Sequence, residues 1–111
     1  MTQGQYVFIE SRDPFESTDT AFVAEAATAL RARGREVAVF LLQNGVLATR
    51  AAAHGSPVPR LVEAGVTVLA DDFSLQERGI VASELGPGVR EASMGTLVDL
   101  MMRPDTKTIW H

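Results

Sequence analysis

Two adjacent carboxylates, Asp71 and Asp72, follow the apolar run at residues 66–70 and stand at the head of a stretch, residues 73–78, that fits a helix of about two turns. Paired acids at a strand end could bind a metal ion, or act as general acid and base on a small molecule. Successive residues at a helix start point in different directions, and no histidine or third carboxylate lies nearby in sequence. A carboxylate that caps the helix and complements its positive end is therefore the favoured reading, and no metal site is expected. The other end of the segment agrees: if Asp71 caps the helix and Arg78 ends it, Gly79 takes the left-handed position and Leu75 meets Ile80. Ser74 and Glu77 also fit a capping box, which would start the helix three residues later.

The remaining chemistry-bearing residues are sparse. The turn at residues 43–45 places Asn44 and Gly45 after a second apolar run, where a side-chain amide and backbone donors could meet a ligand. With Asp71 and Asp72 they make up the candidate binding set. The loop at residues 11–18 contains no glycine and carries Asp13 and Glu16, which argues against a phosphate cradle, and no cofactor is expected. His54 and His111 stand in no metal-ligand or triad spacing and read as exposed loop and terminal residues. The chain has no cysteine, so thiolate catalysis, persulfide chemistry, disulfides and cysteine metal sites are excluded within it.

The elements that must position these residues follow from periodicity. Residues 6–10 (YVFIE) form a first strand, ended by Arg12, Asp13 and Pro14. Ser17, Thr18 and Asp19 offer caps for an alanine-rich helix, with Phe22, Ala26, Ala29 and Leu30 at helical spacing before Gly34. Residues 36–42 (EVAVFLL) are almost continuously apolar, as in a central parallel strand covered on both faces. Residues 46–54 are expected to be helical, residues 55–59 (GSPVP) to interrupt, and residues 60–64 to resume for one turn. A third strand precedes Asp71, and residues 81–91, with Gly86, Pro87 and Gly88, read as a connecting loop. Ser93 caps a last helix, Pro104 lies beyond it, and residues 107–110 (KTIW) make the final strand. Alternation of this kind predicts an α/β fold, a three-layer α/β/α sandwich with a mainly parallel sheet of about four or five strands.

The chain has 111 residues, 46% of them hydrophobic, which suits a single domain over residues 1–111. Its net charge of -4 argues against nucleic-acid or anionic-membrane partners, which need clustered Lys and Arg. No apolar run approaches the roughly 20 residues that span a bilayer, and residues 1–6 lack the pattern of a signal peptide, so a cytoplasmic protein is expected. In the last helix Leu97, Leu100 and Met101 are expected on one face and Val98 and Met102 on another. A helix apolar on two faces predicts a homo-oligomer.

Taken in order, these motifs resemble the DsrE/DsrF-like sulfur-relay family. The resembling features are the alanine-rich helix ending at Gly34, the FLLQNGV turn (residues 40–46), the segment from Gly65 to the Arg78-Gly79 pair, and the SMGTL helix start (residues 93–97). The resemblance covers nearly the whole chain. It implies a DsrE-like fold, an oligomer, and a sulfur-carrier protein as a partner. In sulfur-transferring members the nucleophilic cysteine ends the strand before the Arg-Gly-terminated helix, and counting back from Arg78 and Gly79 puts Asp71 there. A carboxylate cannot attack or hold sulfane sulfur as a thiolate does. The resemblance thus implies a non-catalytic member, an oligomeric binding or assembly component related to intracellular sulfur relay. The alternative is a small-molecule enzyme using Asp71 or Asp72 as general acid/base at the carboxyl edge of the sheet.

Overall fold

The structure, a computed structural model, describes residues 4–15 and 20–111. Five strands, β1 (Gln5–Glu10), β2 (Glu36–Leu41), β3 (Thr67–Asp71), β4 (Val89–Ala92) and β5 (Thr106–Trp110), form one sheet in the order β4-β3-β2-β1-β5. Every ladder is parallel, and β2 is the middle strand, as its apolar run predicts. Four α-helices are described: α1 (Thr20–Ala32), α2 (Val58–Glu63), α3 (Asp72–Glu77) and α4 (Met94–Met101). None is long and apolar enough to cross a membrane.

The sheet separates two cores. On one face Phe8, Val39 and Val68 pack with Val23, Ala24 and Ala27 of α1 and Leu61 of α2. On the other, Val7, Ile9, Phe40 and Leu69 pack with Leu97 and Leu100 of α4. Phe8 and Phe40 point to opposite faces and are essentially fully buried, each worth about 1.5–3 kcal/mol of transfer free energy. Small residues let α1 lie close on the sheet, so Ala24 and Ala27 reach the core without a bulky side chain between helix and strand.

Three expectations are corrected. The buried stripe of α1 runs through Val23, Ala24 and Ala27, with Ala26 and Leu30 packed at its margin as partly buried residues, whereas Phe22 and Ala29 are exposed. An alanine-rich helix carries too little size contrast to fix its own rotation from sequence. Residues 46–54 are not an α-helix: a 3-10 segment, Gln43–Thr49, is followed by turns that lead into the proline-rich stretch, whose Val58 and Pro59 already begin α2. The loop expected over residues 81–91 contains a short 3-10 turn, Ala82–Glu84, and the start of β4. Strand β4 is four residues long and carries Arg90 and Glu91, so it shows no apolar run, as is common at a sheet edge. The predicted N-cap of α1 (Ser17, Thr18, Asp19) lies outside the described residues.

Candidate functional site at the carboxyl edge

The carboxyl ends of β2 and β3 converge on a network centred on Ser74. Asp71 ends β3 in an extended conformation and caps α3, its Oδ2 accepting the backbone N–H of Ser74 at 3.0 Å and the Ser74 hydroxyl at 2.6 Å. Ser74 Oγ in turn accepts the backbone N–H of Gln43 at 2.8 Å, which ties the turn after β2 to the start of α3. Gln43 has a φ of +51°, a left-handed conformation unusual for a non-glycine residue. Its N–H is thereby turned towards α3 and satisfied there.

Arg78 clamps the same turn from the other end of α3. Its Nε and Nη2 donate to Asn44 Oδ1 at 3.2 and 3.1 Å, and its Nη1 donates to the Ser74 carbonyl at 3.2 Å. The helix stops as its sequence predicts: Gly79 adopts φ +67°, Gly79 N–H donates to the Gln76 carbonyl and Ile80 N–H to the Leu75 carbonyl, while Leu75 and Ile80 bury their side chains. The capping-box alternative starting at Ser74 is not adopted, since Ser74 lies inside α3.

The structure brings together Asp71, Asn44 and Gly45, and sets Asp72 apart. Asp71 is 4% exposed. Asp72 is exposed in the first turn of α3, beside the exposed ring of Phe73. The two carboxylates therefore occupy different environments, one buried in hydrogen bonds and one in solvent. Gly45 is held where β1 and the following turn almost touch: a Cβ there would collide with the Glu10 carbonyl oxygen. Glycine at this position is thus required by backbone approach. Among the described residues, no three His, Asp or Glu side chains gather as a metal site would require.

Sequence reasoning missed one pair at this edge. His111 is not a free terminal side chain; its Nδ1 lies 2.9 Å from Oε1 and 3.0 Å from Oε2 of the buried Glu10. Glu10 Oε2 also accepts the Arg12 backbone N–H, and the His111 backbone bonds both Ile9 and Ser11. The signal available was a lone acid ending an apolar strand, which has to find a partner if it is buried. Glu10 ends β1 and Asp71 ends β3, with β2 between them, and the His111 ring bonds Glu10, so the histidine does not join Asp71 and Ser74 in a triad. His54 is exposed, as expected.

The model of the DsrE/DsrF-like family matches residues 4–107. Among solved structures, the ychN protein from E. coli superposes with a TM-score of 0.88 at 19% identity, covering 98% of this chain and 100% of that one. MTH1491 from Methanobacterium thermoautotrophicum, a protein of unknown function, gives 0.81 at 21% identity, covering 98% and 100%. BT1422 from Bacteroides thetaiotaomicron, also of unknown function, gives 0.75 at 18% identity, covering 96% and 94%. No curated protein matches the sequence.

Proposed function

This chain belongs to the DsrE/DsrF-like family, and on that premise we propose that it is a non-catalytic member, an oligomeric binding or assembly component related to intracellular sulfur relay. The observation that carries the reading is Asp71. A sulfur-transferring site at this strand end needs a soft nucleophile, and the chain contains no cysteine. The carboxylate found there is spent on structure: it caps α3 and fixes the Ser74 hydroxyl, which in turn secures the Gln43 turn. A strand end, turn and helix held together without a thiol suit a subunit that binds and does not transfer sulfur.

Helix α4 supports the oligomer. Its core side is narrow: Leu97 and Leu100 are buried, whereas Met101, grouped with them on periodicity, is exposed. Met94, Val98 and Met101 recur at i, i+4 and i+7 and form one exposed apolar stripe, extended by Met102, which is 78% exposed. Such a stripe in water is unfavourable, and a second copy of the chain or a sulfur-carrier protein would cover it. Native mass spectrometry of protein purified from its own cell tests the reading. The expected result is a multimer of the 11.9 kDa chain, alone or with a second protein. A bare monomer at micromolar concentration would contradict it.

A further inference from the structure

On the face of the sheet that carries α4, the helix covers only part of the strands, and a cleft of about 520 Å³ runs between it and the β4 edge. None of Asp71, Asp72, Asn44 and Gly45 lines it. Its polar lining is unusual for a chain of net charge -4, because Arg90 stands on the β4 side and Arg103 on the α4 side, with Arg31 at the margin. Among the described residues, neither the Arg90 nor the Arg103 guanidinium has a hydrogen-bond or ion-pair partner. Arg31 donates only to the carbonyls of Gly65 and Arg35, which orient its guanidinium without neutralising it.

We infer that this cleft is a binding site for a small organic anion, a carboxylate or a phosphate monoester, gripped by Arg90 and Arg103 from opposite walls. Guanidinium groups present paired donors that match the oxygens of both chemistries. The volume lies within the roughly 300–1,000 Å³ of small-molecule sites and is far more than a bare ion fills. Glu36 and Glu91 also line the cleft, so three cations stand against two anions, which disfavours polyphosphates and nucleic acids and leaves room for a mono- or dianion. The site is independent of the oligomer reading. On α4, Thr96 and Leu100 face the cleft at i and i+4, with Arg103 just beyond the end of the helix, and the stripe of Met94, Val98 and Met101 starts two residues before Thr96, which turns it about 200° around the helix.

The test is chemical-shift mapping of the 15N-labelled full chain, titrated with glycerol 3-phosphate and, separately, with succinate. Saturable shifts are expected at Arg90, Thr96 and Arg103, and not at Asn44 or Ser74. Response to one titrant alone assigns the class as phosphate or carboxylate. Arg90→Ala and Arg103→Ala, both at exposed positions, should each weaken binding about tenfold, as loss of a charge-assisted contact does. Arg60→Ala, at an exposed position on α2 outside the cleft, should leave it unchanged. No saturable shift with either anion would overturn the inference. So would equal weakening by Arg60→Ala, which marks diffuse charge attraction, or cleft amides silenced because a second copy of the chain occupies the cleft.

Discussion

Asp71 and Ser74 are bonded twice: one carboxylate oxygen accepts both the backbone N–H, at 3.0 Å, and the hydroxyl, at 2.6 Å, of the same residue. Both groups are buried, and the hydroxyl has a second task, accepting the Gln43 N–H. The strand end, the helix start and the neighbouring turn are therefore one unit, held by an acid at the position where the family resemblance places a nucleophilic thiol.

Asp71→Ala should destabilise the fold by about 2–3 kcal/mol, combining loss of the cap with a buried hydroxyl left without its acceptor. Asp71→Asn retains an acceptor oxygen and should cost less than half as much. Urea denaturation of the two variants checks the order; equal losses would mean that charge, not acceptance, holds the turn.

Ser74→Ala leaves Asp71 able to cap through the Ser74-position N–H but strips the Gln43 N–H of its acceptor. A cost of about 1–2 kcal/mol is expected. Amide exchange should quicken at Gln43 while the interior of β2 stays protected; unchanged exchange at Gln43 would contradict the bridge.

Gly45→Ala should destabilise by about 2 kcal/mol or more, because the new methyl group meets the Glu10 carbonyl and either β1 or the turn must shift. Gly79→Ala, at a positive φ with open space around it, should cost only about 1 kcal/mol. Thermal unfolding of the two variants gives the comparison, and a milder effect at position 45 would refute the close approach.

Val98→Glu alters a half-exposed side chain on the outer stripe of α4. In an isolated monomer such a change falls within about 0.5 kcal/mol. If the stripe is an interface, light scattering should show the variant shifting towards 11.9 kDa, with the circular dichroism spectrum preserved. No change in assembly would remove the stripe from the interface.

The site was legible where chemistry and geometry coincide in a few consecutive residues. Asp71, Arg78, Gly79 and Ile80 each carry a local signal of helix start or stop, and each takes the role that its type dictates. Long-range features were not legible. The Glu10–His111 pair joins residues 101 positions apart, and nothing in the spacing links them. Gly45 looked like a ligand-facing turn glycine, yet its tight constraint comes from β1, a neighbour that only the sheet order supplies. Strand β4 was missed because its residues are chosen for an exposed edge, and an edge strand need not be apolar.

The most direct test of the central claim is the intact mass of the purified protein after incubation with a persulfide donor and desalting. With no cysteine and Asp71 at the strand end, there is no thiolate to form a persulfide, and methionine thioether does not replace it. An unchanged mass is expected. A stable adduct of one sulfur atom would contradict it and return the site to the transferring members of the family.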